Sequence, residues 1–411
     1  MRVAVAAALL AAGAARADDA DEAALRLADA APEVTHAAAG GRLFVEGAAG
    51  RGGGDGFRRL SLDLRYEHAL APGLRAFVAN RLDVRSPTPD GADAAINTLK
   101  EAYLGWQMSA DALLDLGRIN LKNGVAAGYN PTDWFRAGAV RSVVSIDPAS
   151  LRENRQGSVM LRGQRLWPGG SLTALYAPRL ARSPDDDGLS LDFGATNGRE
   201  RGLVAVGETF GGLALQFLVY REAERSTQYG LNLTALANDA TVAHIEWSGG
   251  RERPSPLMAA AAGSGSADAW RNRLAAGFTW TSPQRLSLTA EYHYNGAGLD
   301  TTAWNALRRT PPQRLAHLRA EALATQEAPT RHTLFLHANW QDAFVPRLNL
   351  ALMHHRDLTD DSRRIWLEAR YHAGDIEYAI QWQRGDGSPT SRFGAFGGSP
   401  GWQAVLRHYF Q

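Results

Sequence analysis

The chain of 411 residues contains no cysteine, no long apolar run beyond its first residues and almost no excess charge. The lack of cysteine excludes disulfides, thiolate catalysis and cysteine-based metal sites, and it suits a protein that crosses an oxidising compartment. A membrane-spanning helix needs about 20 apolar residues, and no such run follows the N-terminus. The formal net charge of +1 argues against nucleic acid as a partner, which normally requires a basic excess.

Short catalytic motifs are also missing. The sequence has no Gly-x-Ser-x-Gly, no His-Glu-x-x-His and no phosphate-binding glycine loop. His354 and His355 are adjacent on a predicted strand, so they point to opposite faces and cannot share a metal ion. Glu291 and His293 are the nearest candidate for a catalytic pair, although paired polar residues inside the lumen are the simpler explanation. The sequence predicts no enzyme, cofactor or metal site; a triad assembled in space stays open.

The N-terminus has the pattern of a secretory signal. Arg2 supplies the positive charge, residues 3–13 form an apolar segment, and Ala15-Arg16-Ala17 is a small-x-small cleavage site. The alternative is an alanine-rich first helix of a cytosolic protein. We predict a signal peptide at residues 1–17, export through the general secretory route, and an N-terminal periplasmic segment at residues 18–40 that is either a short tail or a plug.

From residue 41 to residue 411, apolar and polar residues alternate with a period of two. Residues 60–66, for example, read Leu-Ser-Leu-Asp-Leu-Arg-Tyr. Side chains on a strand point alternately to opposite faces, so each such run has one apolar and one polar face. Segments of about ten residues with this pattern are typical of outer-membrane barrels, whereas strands of soluble sandwiches usually have about five or six residues. The pattern predicts an all-β fold: one transmembrane antiparallel up-and-down β-barrel of about 16–18 strands.

The connections between these runs alternate between short and long. Short ones such as Ser109-Ala110 and Gly211-Gly212 separate long polar stretches such as 181–199. Short periplasmic turns and long external loops are the pattern of outer-membrane barrels. Aromatic residues near strand ends, such as Trp106 on the periplasmic side and Tyr220 on the outer side, predict a girdle at each membrane interface.

The C-terminal segment carries a further pattern. Apolar residues alternate through residues 401–411 up to Phe410, and the segment resembles the C-terminal strand of Gram-negative outer-membrane proteins, which normally finishes on Phe. Gln411 after the aromatic and His408 on the apolar face depart from that strand, and both would weaken assembly. The resemblance implies an outer-membrane porin that contacts outer-membrane lipid and lipopolysaccharide and is recognised by the barrel-assembly machinery through this strand.

A narrower resemblance rests on residues around the longest connection. Gly117-Arg118, Asn130-Pro131-Thr132-Asp133 and Asp147-Pro148 resemble the Gly-Arg strand and the Asn-Pro-x-Asp loop of porin-like families that include alginate-export barrels. The connection itself, residues 121–154, is far longer than most loops in compact domains. Because it contains Trp134 and Phe135, it is too apolar for a disordered tether. We predict that this loop folds into the barrel and narrows its channel.

Strand alternation and the long loop together define a set of residues predicted to line the pore or its constriction. The set is Arg65, Arg81, Asp83, Glu101, Tyr103, Arg118, Lys122, Asp133, Arg136, Arg141, Arg152, Arg155 and Arg162. Its basic residues outnumber its acidic ones, which predicts a preference for anions. The alternative is structural: wall charges pair across neighbouring strands, and the loop arginines pin the loop to acidic residues of the wall.

These features predict a porin for passive diffusion of small hydrophilic solutes, anionic ones included, across the outer membrane of a Gram-negative bacterium. The first alternative is a channel that exports or takes up a specific anionic polysaccharide or sugar acid. The second, from another class, is a barrel enzyme or receptor with a plugged lumen. The sequence does not identify the solute or the oligomeric state.

Overall fold

The computed structural model describes residues 40–52, 55–88, 92–183, 185, 187–255, 258–260, 268–396 and 400–410. The predicted signal peptide and all but the last residue of the predicted periplasmic segment lie outside these ranges and stay predictions. The first strand begins at Gly40, one residue before the predicted start of the barrel.

Antiparallel strands form almost all of the regular structure. They are β1 (Gly40–Gly52), β2 (Asp55–Ala71), β3 (Leu74–Ser86), β4 (Ala95–Ser109), β5 (Ala112–Ile119), β6 (Ser158–Trp167), β7 (Gly170–Ala177), β8 (Arg201–Phe210), β9 (Leu213–Glu222), β10 (Gln228–Asn238), β11 (Thr241–Glu252), β12 (Ala269–Thr281), β13 (Leu286–Asn295), β14 (His332–Trp340), β15 (Leu348–Asp357), β16 (Arg363–Ala373), β17 (Ile376–Asp386) and β18 (Gly401–Phe410). The helices are α1 (Pro148–Glu153), α2 (Thr301–Leu307) and α3 (Pro312–Thr325), with 3-10 turns at Trp134–Arg136 and Gly394–Phe396.

Each strand pairs with its neighbours in sequence, and β18 pairs with β1 to close an 18-stranded barrel. The structure therefore confirms the predicted fold class, and its 18 strands equal the upper limit of the predicted range. The short turns lie where the glycine, asparagine and proline signals predicted them. The external connections at 223–227 and 358–362 are too short to give the long polar signal of stretches such as 181–199.

The two faces of the wall follow the alternation. Leu60, Leu62 and Leu64 are 59%, 44% and 37% exposed on the outer face, whereas Ser61 and Asp63 between them are each 1% exposed. An apolar outer surface is what hydrocarbon requires, and the polar side chains meet their hydrogen-bond partners inside. The period of two thus fixes which residues face lipid and which face the lumen.

A β-bulge interrupts the alternation in β4. Ala79 pairs with Glu101 and Asn80 with Leu99, so Lys100 is an extra residue without a partner position on β3. The ammonium of Lys100 lies 2.8 Å from a carboxylate oxygen of Asp63 in the lumen. A bulge re-aims side chains locally, so two consecutive residues face inward where a regular strand would present one.

Among the described residues, no helix combines the length and the apolar character needed to cross a membrane.

Candidate functional site: a channel beside the in-folded loop

Residues 120–157, between β5 and β6, leave the wall and enter the lumen as predicted. One buried attachment is Glu246 on β11, a strand six positions further round the barrel. Its carboxylate accepts hydrogen bonds from the backbone N–H groups of Val125 (3.0 Å), Ala126 (3.1 Å) and Thr132 (2.8 Å). The Asn130 amide donates to it as well, at 3.1 Å. The loop forms no backbone hydrogen-bond ladder at these residues. The buried carboxylate of Glu246 therefore accepts hydrogen bonds from backbone N–H groups that would otherwise have no partner.

A second carboxylate extends this attachment. Glu291 on β13 accepts hydrogen bonds from the backbone N–H groups of Ala127 (2.6 Å) and Gly128 (2.9 Å). Its two oxygens also lie 2.9 Å from His244 Nε2 and 2.7 Å from His293 Nε2. The Glu291–His293 pair therefore holds the loop, as the alternative of paired polar residues inside the lumen proposed.

Glycine is required where the loop approaches the first carboxylate. Gly124 has φ +97°, and a Cβ built there would lie 2.5 Å from an oxygen of Glu246. Both a left-handed backbone and this close approach exclude a side chain at the position.

We expect Gly124→Ala to lower the free energy of unfolding by about 1–3 kcal/mol, through backbone strain and displacement of the Glu246 carboxylate. The measurement is urea unfolding in lipid vesicles followed by tryptophan fluorescence. Gly47→Ala is the matched control, since a Cβ there would have no atom within 4 Å. Equal midpoints for the two variants would contradict the expectation.

Apolar residues fill the lumen between the loop and strands β5 to β9. Trp134 stacks on Tyr220 with ring centroids 4.9 Å apart, and Phe135 packs edge-on against the same ring at 5.9 Å. Met160 and Leu218 are almost completely buried in this cluster. Tyr220 was predicted for the outer aromatic girdle; that prediction is wrong, because its ring faces the lumen and packs against the loop. This side of the barrel is closed by packing.

Ion pairs fix the rest of the loop. Arg155 lies 2.8 Å from Asp133, with both side chains buried. Arg136 pairs with Glu327, which follows α3 in the external connection between β13 and β14. Arg152 donates to a backbone carbonyl of the loop at 3.0 Å. These arginines pin the loop as the structural alternative proposed, but their partners belong to loops rather than to the acidic wall residues first considered.

Open space remains on the opposite side of the loop, in a cavity of about 390 Å³. Residues 144–154 of the loop border it on one side, and strands β1 to β3 and β14 to β18 border it on the other. Its charged lining consists of Arg42, Arg59, Arg81, Arg370, Arg407, Glu46, Asp63, Asp147, Glu153 and Glu368. Five arginines and five carboxyl groups in this set give a neutral sum; all five arginines and three of the carboxyl groups lie on the wall, and Asp147 and Glu153 lie on the loop.

The wall arginines are organised around one carboxylate. Glu46 on β1 lies 2.8 Å from Arg59, 2.9 Å from Arg81 and 2.7 Å from Arg407. Arg81 also donates to Asp83 at 2.9 Å. Paired side chains of this kind are held in place, so they present fixed charges to the channel. The strand register brings these residues from β1, β2, β3 and β18 to one patch of wall.

Acidic residues of the loop face this patch. Burial raises the pKa of Asp147, which caps the start of α1 through a 2.8 Å hydrogen bond from the Ser150 N–H. Burial alone would raise the pKa of Glu153, but the charges of Lys100 and Arg42 outweigh it and lower that pKa. Glu153 reaches across to Arg42 of β1 at 3.0 Å. The wall part of the lining carries two more arginines than carboxyl groups, and the loop part carries two carboxyl groups, so a field crosses the cavity.

Several predicted residues point into the lumen without reaching the cavity. Arg65 covers the ring of Phe77 at 5.0 Å, and Tyr103 stacks on the same ring at 5.1 Å. Arg162 pairs with Asp115 at 2.7 Å on the wall beside β5. Glu101 and Lys122 also lie outside the lining of the cavity. Glu101 accepts a 3.3 Å hydrogen bond from the backbone N–H of Asn120 at the start of the loop, and burial lowers the pKa of Lys122.

Of the residues predicted to line the pore, Arg81 alone belongs to the described lining of the cavity. The prediction for Arg118 is wrong in orientation. It pairs with Ala102 and Val159 on the outer face of the wall, next to Leu116 and Leu161, which are 56% and 44% exposed. The sequence reasoning missed Glu46, Arg59, Arg370 and Arg407, although continuing the alternation through β1, β2, β16 and β18 places all of them inside.

Within the described ranges, no group of three or more His, Asp or Glu side chains is arranged to hold a metal ion.

Solved outer-membrane porins share this fold, a closed barrel with a loop folded into its lumen. OccK5 (OpdH) of Pseudomonas aeruginosa is similar over 90% of this chain and 98% of its own, with TM-score 0.53 and 10% identity. A BenF-like porin from Pseudomonas fluorescens Pf-5 is similar over 90% and 98%, with TM-score 0.53 and 11% identity. OccAB1 of Acinetobacter baumannii is similar over 90% and 96%, with TM-score 0.51 and 12% identity. No protein-family model matches the chain, and no curated protein matches it in sequence. The likeness is one of fold.

Proposed function

We propose that this protein is an outer-membrane porin through which small hydrophilic solutes, anionic ones included, diffuse passively. The observation that carries the proposal is the cavity of about 390 Å³ between the in-folded loop and a wall of paired charges. Its volume falls in the range of pockets that accept one small molecule. The shared fold with solved porins supports the same conclusion.

The charge arrangement favours solutes with a carboxylate at one end and hydroxyl groups elsewhere. Such a solute can turn its negative end toward Arg59 and Arg407 of the wall and its neutral groups toward the acidic loop residues Asp147 and Glu153. Rings and patches of arginine select anions in channels, and the opposed carboxylates keep binding weak enough for release. Because the lining is neutral in sum, the anion preference should be modest.

The same proposal places the protein in the outer membrane of a Gram-negative bacterium. The apolar outer surface suits contact with membrane lipid and lipopolysaccharide. β18 supplies the C-terminal strand that the barrel-assembly machinery would recognise, and secretion before assembly would use the N-terminal signal. The resemblance to alginate-export barrels stays a prediction.

Swelling of liposomes that contain the refolded protein tests the proposal. We expect the liposomes to swell in isotonic solutions of a neutral monosaccharide and of a sugar acid of the same size. The swelling rate should be somewhat higher with the sugar acid when both solutions contain the same counter-ion. Swelling only with one polysaccharide precursor would favour the specific export or uptake channel. Rates equal to those of protein-free liposomes for all solutes would favour the plugged enzyme or receptor and end the proposal.

A further inference from the structure

The barrel wall has an opening above β5. This strand, Ala112–Ile119, has eight residues, whereas a transmembrane strand needs about 9–11. After it the chain turns into the lumen. β4 continues higher, because it has 15 residues. Just before β6, the backbone N–H of Gly157 donates directly to the carbonyl of Lys100 in β4 at 2.9 Å. Above this contact, residues 95–99 of β4 have no neighbouring strand on this side among the described residues.

Residues 187–197 of the connection between β7 and β8, here called the panel, occupy this opening. On one side the backbone N–H of Asn97 in β4 donates to the carbonyl of Gly188 at 2.7 Å. At its other end the Asn197 amide bonds both backbone groups of Val159 in β6, at 2.8 and 2.9 Å, and donates to the carbonyl of Pro178 directly after β7 at 2.8 Å. From the lumen, Arg141 of the in-folded loop donates to carbonyls of the panel at Asp187 (2.6 Å) and Ser190 (3.1 Å). The panel is thus attached to β4 at one end, to β6 and the end of β7 at the other, and to the loop behind it.

Arg118 holds the panel from below. Its side chain lies on the outer face of β5 yet is 0% exposed. The guanidinium donates to the carbonyls of Gly157 (3.1 Å) and Asp192 (2.5 Å), and the Phe193 ring covers it at 5.2 Å. An arginine on the lipid face would be unfavourable without such cover. The panel supplies one of the two carbonyls that accept from this cation, and it separates the cation from the surroundings of the barrel.

The outer surface of the panel continues the apolar band of the barrel. Leu189, Leu191 and Phe193 are exposed and alternate with the partly covered Ser190 and Asp192, as on a strand. The adjacent strands expose leucines on the same face. We propose that the panel is a lipid-facing part of the barrel wall, in which Leu189, Leu191 and Phe193 contact acyl chains of the outer leaflet and Arg118 fixes the panel in place.

Site-directed spin labelling tests this assignment on the full chain in phosphatidylcholine vesicles. The absence of cysteine allows single-cysteine variants Leu189→Cys and Leu191→Cys without background labelling. We expect high accessibility to oxygen and low accessibility to a water-soluble nickel chelate, equal to the values for Leu161→Cys in the wall. Nickel accessibility equal to that of Glu224→Cys, in the external connection between β9 and β10, would show a water-exposed loop and overturn the proposal.

The role of Arg118 is tested in the Leu191→Cys background with Arg118→Leu and Arg118→Lys. Loss of the two carbonyl contacts should raise the nickel accessibility of the label severalfold in Arg118→Leu, with a smaller rise in Arg118→Lys. The Leu161→Cys label in the same variants reports whether the barrel still inserts. Unchanged accessibility at position 191 in both inserted variants would remove Arg118 from the proposal. Neither experiment depends on whether the channel conducts.

Discussion

Glu246→Gln is expected to raise the single-channel conductance severalfold. The carboxylate accepts hydrogen bonds from three backbone N–H groups of the loop, and an amide would turn its own N–H₂ toward some of these donors. Losing one partner of a buried hydrogen bond to a charged group costs about 1.5–3 kcal/mol, and several such bonds are involved. The loop should detach from β11, so that the lumen it now fills opens to ions. Conductance steps in planar bilayers measure the change directly.

Glu224→Gln is the matched control, since it removes the same charge from an exposed external position. It should conduct like the unmodified protein. Deletion of residues 124–146 should reproduce or exceed the effect of Glu246→Gln. Unchanged conductance in both the deletion and the point variant would mean that the loop does not narrow the channel.

Glu46→Gln is expected to shift ion selectivity toward anions by roughly threefold in the permeability ratio. Glu46 is the shared partner of Arg59, Arg81 and Arg407, and it is one of the five carboxyl groups in an otherwise balanced lining. Its neutralisation leaves one uncompensated positive charge on the wall. Reversal potentials in a potassium chloride gradient measure the shift.

The mirror variant Arg407→Gln should move the reversal potential the opposite way, because it leaves the lining with one negative charge in excess. Opposite signs for the two variants separate an electrostatic effect from a general disturbance of the wall. Shifts of the same sign would contradict the proposed role of the paired lining.

The wall could be predicted from the sequence because its determinants are local. Alternation through residues 60–66 fixes which side chains face lipid, and turn residues fix where strands end. The position of Arg118 could have been predicted by the same rule: Leu114 and Leu116 mark the outer face, so Arg118 falls on that face as well. A basic residue among lipid-facing positions is itself a signal that something covers it.

The channel could not be predicted in the same way because its shape depends on contacts between distant residues. Thr132 and Glu246, separated by 114 positions, decide where the loop lies. The loop then decides which part of the lumen stays open. No local sequence pattern predicts the bulge at Lys100 or the stacking of Trp134 on Tyr220. For this reason most of the residues predicted to line the pore instead form contacts within the loop and the wall.

Current recordings on the purified, refolded protein in planar bilayers test the central claim most directly. If a water-filled passage runs beside the loop, the recordings should show steady, discrete conductance steps that persist at low voltage. A bilayer that stays silent, while the protein is inserted and its gel mobility changes on boiling, would contradict an open channel and leave a barrel that does not conduct.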